Sequence, residues 1–423
     1  MGKFLCVLAC VGVGLSGVAA ARDVAPAESL DSLEKQLQAR HPALRVAGRA
    51  QAAAEAAVDA AGAPMAPELV AQTWATPLAR PWDLGRSQML MLGARVKLPQ
   101  WKARTAERAA ERAEARARLE DTGDVRLALR AELRREVVAF DSAERARALL
   151  EAQLALQLRL QPVVDAGYAA GRVPQRALRE LVVQSARLEA ERTRLMGEAN
   201  VARTRVNGLL GRAADAPLVV SPLALPVRPA PEALERPDTP RRHAAHLRAE
   251  SAEARAHAAH AMATRPEVSV GLDYMAMASE RTYGYYGAML GLSLPWLSSR
   301  ARAEEKRAAQ GAALARAEAE RDAHAERLDA FTAAARFSAA ESSLNTLHTR
   351  LLPALLHAQE GEERDYARGE ADPLALIEAS AGVLESRLEA LRTEEALHAA
   401  AIALERLKAI DLHPAASASA ETP

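Results

Sequence analysis

Apolar side chains alternate with small or polar ones in two windows of the chain, residues 66–98 and 266–295. In the second window the apolar positions are Val268, Val270, Leu272, Tyr274, Ala276, Tyr286, Ala288, Leu290, Leu292 and Leu294, and in the first they are Leu90, Leu92, Ala94, Val96 and Leu98. Successive side chains of a strand point to opposite faces, so a period of two predicts strands. Each window therefore predicts a β-hairpin with one apolar face.

Outside these windows apolar residues recur at steps of three and four, as in Leu129, Leu133, Val137 and Phe140. This spacing predicts long helices at about 99–161 and 162–210, and again at about 297–352 and 353–409. A helix of about 60 residues would reach about 90 Å. Because alanine is frequent along the seams and Arg and Glu cover the other faces, we expect close helix packing with water on more than one side.

The chain is internally duplicated, because short landmarks recur in the same order about 190 to 200 residues apart. The recurring pairs are Pro67 with Pro266, Leu98-Pro99 with Leu294-Pro295, Trp101 with Trp296, Phe140 with Phe331, Pro162 with Pro353, and Tyr168-Ala-Ala-Gly171 with Tyr366-Ala-Arg-Gly369. Residues 22–211 then form repeat 1 and residues 241–411 repeat 2. Residues 212–240 hold seven prolines and are expected to be an extended linker. Each repeat is predicted to contain a helix, a β-hairpin and a long helical hairpin, so the fold is mainly α with a small β part.

The two ends of the chain carry different signals. Residues 1–21 place Lys3 before an apolar run and three alanines, which is the layout of a secretory signal peptide. Cys6 and Cys10 both lie within it, so the exported chain is expected to have no disulfide, while a faint lipoprotein box before Cys10 leaves lipidation open. Residues 412–423 are expected to be a disordered tail.

Charge and aromatic content narrow the function. Lys plus Arg equal Asp plus Glu at 55 each and are interleaved, which argues against nucleic-acid binding. Aromatic residues are only 3% of the chain and concentrate around the two hairpins. The expected membrane-interface aromatics are Trp74, Trp82, Trp101, Tyr274, Tyr283, Tyr285, Tyr286 and Trp296. Strands with one apolar face and aromatic ends are typical of membrane barrels, and a half-buried soluble hairpin is the alternative.

This order of features resembles the TolC-like outer-membrane efflux factor family over nearly the whole exported chain. The resemblance rests on the junctions Leu98-Pro99 and Leu294-Pro295-Trp296, the two Tyr-x-x-Gly motifs, and Leu209-Leu210-Gly211 closing the first repeat. It implies a homotrimer whose twelve-stranded β-barrel, four strands from each chain, continues into an α-helical barrel in the periplasm. It also implies a passive channel of a tripartite efflux or type I secretion system, without cofactor or catalytic residues. Its partners would be outer-membrane lipid, a periplasmic adaptor protein and an inner-membrane transporter.

The resemblance also assigns sites at the turns between the long helices. The adaptor-contacting tip maps onto Gly171, Arg172, Val173, Gly369, Glu370 and Ala371. Acidic residues that narrow the aperture would be Glu180 and Glu378, each nine residues after its glycine, with Asp372 as a substitute. Ordinary helix capping explains the glycines equally well, and solvated helix positions explain the glutamates.

The sequence is also compatible with other functions. A soluble periplasmic coiled-coil adaptor or scaffold would share the long helices but not the paired hairpins. His243 and His246, or His257 and His260, lie three residues apart on one helix face, but two further ligands of a structural metal site are missing from the pattern. The length of the chain and its simple N-terminus resemble the heavy-metal cation branch of the family. Methionines 89, 91, 275, 277 and 289 alternate with the apolar strand positions, and thioethers favour Cu(I) or Ag(I), although methionine is also a common space-filler.

Overall fold

A computed structural model of the chain describes residues 27–413 except 64, 77, 80–81, 83–86, 172, 236–238, 278–283 and 369–372. The expected signal peptide at 1–21 lies outside the described residues. Among the helices of the described part, none combines the length and the apolar character needed to cross a bilayer.

The described residues of the first half form four helices and two strands. They are α1 (Leu30–Arg40), α2 (Pro42–Gly62), β1 (Glu68–Trp74), β2 (Met89–Leu98), α3 (Trp101–Ala169) and α4 (Gln175–Leu210). Ser29 caps α1 by accepting a hydrogen bond from the Ser32 amide, and Pro42 starts α2 at its first turn. Gly211 ends α4 in the left-handed conformation, at φ 67°.

The second half repeats this plan after the proline-rich segment. Its elements are α5 (Pro231–Glu235), α6 (Pro240–Thr264), β3 (Glu267–Met277), β4 (Gly284–Ser293), a 3₁₀ turn (Pro295–Leu297), α7 (Ser299–Thr346), a π-helical turn (Leu347–Leu351), α8 (Leu352–Arg368) and α9 (Pro373–Lys408). The short helix α5 lies inside the expected extended linker, because Pro231 is suited to a first helical turn.

The long helices do not divide at the two prolines, as the expected bounds of 161/162 and 352/353 had it. Helix α3 continues through Pro162 to Ala169, and the return helix begins only at Gln175. Leu160 and Val164 on either side of Pro162 are buried, and this packing offsets the hydrogen bond that proline cannot donate. In the second repeat a π-helical turn precedes Pro353, and the helix then continues to Arg368.

The helices pack in a layer around the long helix α3. Helix α3 packs against α2, α4, α6 and α9, and α7 packs against α6 and α9. One core cluster joins α1, α3 and α4 through residues such as Leu33, Leu133 and Val206, and its counterpart joins α7 and α9 around Phe337 and Leu404. Two helices, α2 and α7, are largely exposed: α2 has no buried residue, and the 48-residue α7 has only five.

The four strands form one antiparallel sheet in the order β1-β2-β3-β4. The central ladder pairs β2 with β3 from Met89 opposite Met277 to Leu98 opposite Val268, so it joins the two repeats. The strand ends that the hairpins join, Trp74 and Met89 in the first and Met277 and Gly284 in the second, lie at one end of the sheet, which we call the turn end, and the long helices start from the other.

The end of the chain is more ordered than expected. Leu412 is 6% exposed and its amide donates to Glu405, while its carbonyl accepts from the Val227 amide of the linker at 2.8 Å. The expected disordered tail therefore does not begin at 412, because two further residues pack onto α9. Residues 414–423 lie outside the described part.

Candidate functional site

The two faces of the sheet differ in exposure and chemistry. The even-numbered positions of β2, β3 and β4 carry the leucines and valines predicted from the period of two, and Leu69 of β1 shares their face. Several of them are largely exposed: Leu69 at 84%, Leu272 at 68%, Leu290 at 67% and Leu292 at 61%. We call this the apolar face. Soluble monomers rarely expose contiguous apolar surface of this kind.

The opposite face, which we call the inner face, is less exposed and more polar. Along β2 its side chains are half-buried where those of the apolar face are exposed. It carries Arg95, Asp273 and an ion pair between Lys97 Nζ and Glu267 Oε1 at 3.1 Å. Its glycines are covered by neighbours, since a Cβ on Gly93 would lie 1.8 Å from Asp273 Oδ1. A polar inner face and an apolar outer face are the alternation of membrane barrel strands.

The aromatic residues lie at both ends of the sheet. Trp101 and Trp296 are at the helix end, and Tyr274 and Tyr286 are near the turn end, where their rings meet at 5.5 Å. Trp296 lies beyond β4, in the 3₁₀ turn that follows Ser293, so Tyr286 and Trp296 border this strand at opposite ends. Trp82, at 91% exposure, lies in the first hairpin turn.

Two of the predicted interface aromatics differ from this arrangement. Trp74 pairs with Met89 and Tyr285 with Met275, so the pleat of the strands places both on the inner face and not on the apolar face. Tyr283 lies outside the described residues.

The first tip is a tight turn held by side-chain packing. Gly171 adopts φ 69°, the left-handed conformation that glycine accepts without strain, and Val173 donates its amide to the Gly167 carbonyl at 3.2 Å. Val173 is 9% exposed, and a Cβ on Gly167 would lie 2.5 Å from Val173 Cγ2. Gly167, which sequence reasoning missed, is therefore the residue that lets the turn close.

The two tips lie side by side, because Leu374 at the start of α9 packs against the cluster around Val173. Arg172 of the first tip and Gly369, Glu370, Ala371 and Asp372 of the second lie outside the described residues. Glu180 is half-buried and accepts a hydrogen bond from Gln184 Nε2 at 3.2 Å, whereas Glu378 is exposed. The two candidate aperture residues thus occupy different environments.

Buried glutamines mark α3 near the tips, and the sequence analysis did not single them out. Gln153 donates to Ser380 Oγ of α9 at 3.0 Å, and one turn later Gln157 accepts from Ser185 Oγ of α4 at 2.7 Å. Their signal in the sequence is two glutamines four residues apart between Leu150 and Leu160. These bonds set the register of α3 against both return helices.

A buried ionic cluster ties both ends of the chain to α3. Arg134 is 1% exposed, with Nε 2.6 Å from Glu34 Oε1 of α1 and Nη1 2.6 Å from Glu405 Oε2 of α9. Nη1 also lies 3.1 Å from Asp411 Oδ1, and His413 Nδ1 lies 2.8 Å from Glu405 Oε1. We call Arg134 and these partners the Arg134 cluster.

The electrostatics of the cluster follow from burial and pairing. Burial alone would raise the pKa of Asp411, but hydrogen bonds from Arg134 and Arg130 lower it to about 2. Burial likewise opposes the ionisation of Glu405, yet His413 and Arg134 bring its pKa below the usual range. Burial lowers the pKa of His398, whose ring stacks on His413, to about 4. The carboxylates are therefore held ionised and His398 neutral at pH 7.

The residues of the described part that could bind a metal ion already contact other charged side chains. Glu405, Asp411 and His413 bring ligand atoms within 4.8 Å of one another, but the Arg134 guanidinium already lies between the carboxylates. On α6, His243 and His260 are exposed and contact Glu120 and Glu305 of the neighbouring helices at 3.1 and 2.6 Å. Both groups are thus engaged in ion pairs or hydrogen bonds.

Comparisons with known proteins agree with this architecture. Residues 33–212 match the family model of outer membrane efflux proteins. A search among curated protein sequences returns no match. Among solved structures, the outer-membrane channel OprN superposes with a TM-score of 0.77 at 20% identity and covers 91% of each chain.

Two further channels give similar values. VceC of Vibrio cholerae has a TM-score of 0.75 at 16% identity, covering 91% of this chain and 97% of its own. The open state of MtrE of Neisseria gonorrhoeae has a TM-score of 0.74 at 18% identity, covering 91% and 89%. At these identities the superpositions establish a shared fold, and they extend over both repeats.

The resemblance inferred from the sequence is therefore confirmed, as is the mainly helical fold with a small sheet. Residues 33–212 thus carry the match to the outer membrane efflux protein model, and the fold follows these channels along the length of the chain.

Proposed function

We propose that three copies of this chain form a passive conduit through the outer membrane and periplasm, as the channel subunit of a tripartite efflux system. The observation that carries the proposal is the apolar face of the sheet, built on strands of 10 or 11 residues in β2, β3 and β4. Strands of about 9 to 11 residues are long enough to cross a bilayer when tilted.

The sheet edges support closure by further copies. In one chain β1 and β4 are edge strands, and lipid supplies no hydrogen-bonding groups to such edges. Pairing β1 of one copy with β4 of the next would remove every edge, and three copies of four strands give the twelve-stranded barrel. The uncovered sides of α2 and α7 lie at the two borders of the helical layer, where neighbouring copies would continue the wall.

The exposed apolar residues of α7 support the same contact. Leu314, Leu328 and Phe331 are 59, 60 and 75% exposed. In a tube of several copies such side chains would pack against the adjoining subunit.

The tips remain the proposed contact with a periplasmic adaptor protein, which would link the conduit to an inner-membrane transporter. The proposal carries over the first-tip residues Gly171, Arg172 and Val173 and the second-tip residues Gly369, Glu370 and Ala371. Glu180, Glu378 and Asp372 are the proposed aperture residues. A type I secretion system would use the same conduit, and a soluble periplasmic adaptor or scaffold is the alternative function.

Two matched substitutions test the proposal. Leu272→Arg places a charge in the middle of β3 on the apolar face, whereas Gln72→Arg places it on the inner face of β1. A lipid-facing arginine near the bilayer centre costs about 2–4 kcal/mol, so we expect Leu272→Arg to reduce the outer-membrane trimer band of unboiled gels and Gln72→Arg to retain it. Equal trimer levels in both variants, or a soluble periplasmic monomer for the unmodified chain, would favour the adaptor or scaffold.

A further inference from the structure

Methionines are concentrated on the inner face of the sheet. Five of the nine methionines of the chain lie there: Met89, Met91, Met275, Met277 and Met289. Met89 is directly opposite Met277, and Met91 is directly opposite Met275 in the next row on the same face. We call these four residues the methionine quartet.

The quartet is compact and accessible. Directly opposed side chains of an antiparallel pair have Cβ atoms about 4.5–5.5 Å apart, so two flexible thioethers can approach one another across each row. Met277 is 37% exposed, and the other three are half-buried rather than sealed in a core. A Cβ on Gly287 would lie 2.9 Å from Met275 Cε, so this glycine provides the room that the Met275 thioether occupies.

The surroundings favour a cation. Asp273 is on the same face as the quartet, two residues from Met275, and its carboxylate covers Gly93. Two aromatic side chains border the quartet, since Trp74 is opposite Met89 and Tyr285 is opposite Met275. Aromatic faces attract cations and also make favourable contacts with sulfur.

Simple packing accounts less well for this arrangement. The apolar face of the same strands is built from leucine and valine, whereas the inner face gathers flexible thioethers beside a carboxylate. A water-filled barrel interior is ordinarily lined by polar groups. Among protein side chains the thioether is a soft ligand that selects soft ions such as Cu(I) and has little affinity for hard ones.

We propose that the methionine quartet binds a soft monovalent cation, Ag(I) or Cu(I), through its thioether sulfurs. The site is formed within one chain across the β2–β3 ladder. Its position inside a conduit rests on the proposed function, but the binding itself does not.

The test is calorimetric titration of the exported, detergent-solubilised protein with silver nitrate in chloride-free buffer. The test variant is Met91→Leu/Met275→Leu, which keeps apolar volume and removes two sulfurs, and the quadruple variant adds Met89→Leu and Met277→Leu. The matched control is Met196→Leu/Met262→Leu, which removes two partly exposed methionines of α4 and α6. Zn²⁺ serves as the second probe, because it binds imidazole and carboxylate groups and not thioethers.

We expect at least a tenfold weaker Ag(I) affinity in the double variant, loss of that binding phase in the quadruple variant, and unchanged Ag(I) binding in the control. Zn²⁺ binding should be the same in all four proteins. The proposal is overturned if wild type shows no Ag(I) phase, or if the leucine variants bind as wild type does, since the methionines would then only fill space. Trimer bands and conductance of the same preparations test the channel separately. A conducting trimer that does not bind Ag(I) refutes only the metal site at the methionine quartet. Ag(I) binding by a chain that forms no trimer refutes only the proposed conduit.

Discussion

Replacing Arg134 by alanine tests how the ends of the chain are held to the helical layer. The substitution leaves Glu34 and Glu405, whose side chains are 10% and 7% exposed, without their shared guanidinium. Removing one partner of a buried ion pair typically costs about 3–5 kcal/mol, because the remaining charge stays desolvated. We expect this loss to appear first in the segment after α9, which Arg134 and Glu405 hold in place.

The assay is hydrogen exchange, read by mass spectrometry on peptides that cover residues 405–413. The Leu412 amide donates to Glu405 Oε1 at 2.7 Å, so its protection reports on the cluster directly. A loss of about 3 kcal/mol corresponds to roughly 150-fold faster exchange, since about 1.4 kcal/mol is a factor of ten.

The control is Arg205→Ala, because Arg205 is 64% exposed and lies 3.1 Å from Glu136 of α3. Exposed pairs contribute about 0–1 kcal/mol, so exchange of the same peptides should hardly change. If Arg134→Ala speeds exchange by no more than Arg205→Ala does, the cluster does not hold the C-terminal segment and the argument from burial is wrong.

Two further predictions concern the tip and the pH dependence of the cluster. Gly167→Ala should loosen the first tip, because its Cβ would lie 2.5 Å from Val173 Cγ2. Gly197→Ala, whose Cβ would have no atom within 4 Å, should instead stabilise α4 by up to about 1 kcal/mol. Limited proteolysis at the tip and thermal unfolding distinguish the two variants, and equal effects would contradict the packing argument. Because the pKa of His398 falls from 6.5 to about 4 on folding, the unfolded chain takes up the proton first, and the stability of the cluster should decrease as pH falls from 6.5 to 4. The depressed pKa values of Glu405 and Asp411 act in the same direction at lower pH, down to about 2 for Asp411. Exchange of residues 398–413, corrected for its intrinsic pH dependence, should show a rising open fraction between pH 6.5 and 4 that His398→Asn reduces, and a flat profile over this window would refute the assignment.

The sheet was largely predictable because its two faces differ in chemistry. Leucine and valine occupy the apolar face and small or polar residues much of the inner face, so the period of two in residues 266–295 identifies the strands without knowledge of their pairing partners. The pleat also decided which predicted aromatics share a face, and Trp74 and Tyr285 fell on the inner one.

The ends of the long helices were less predictable because they depend on packing from other segments. Pro162 ends a helix by local rules, yet the burial of Leu160 and Val164 carries α3 past it. The contact of Gly167 with Val173 joins residues on two sides of a turn, and the sequence marks neither as special.

The Arg134 cluster could not be predicted from the sequence for a related reason. Glu34, Arg134 and Glu405 are separated by at least 100 residues and stand among many similar charges in the sequence. Only the folded chain distinguishes a buried guanidinium from the solvated ones around it.

The unequal lengths of the strand ladders imply an order of melting. Within one chain, β1 and β2 pair at seven positions, whereas β2–β3 and β3–β4 each pair at ten. In the trimer that we propose, a seam between copies would pair β1 with the ten-residue β4 of the next copy, so its ladder would be limited to the seven residues of β1. Such seams would be shorter than the β2–β3 and β3–β4 ladders, and heating should separate the copies while β2, β3 and β4 of each remain paired.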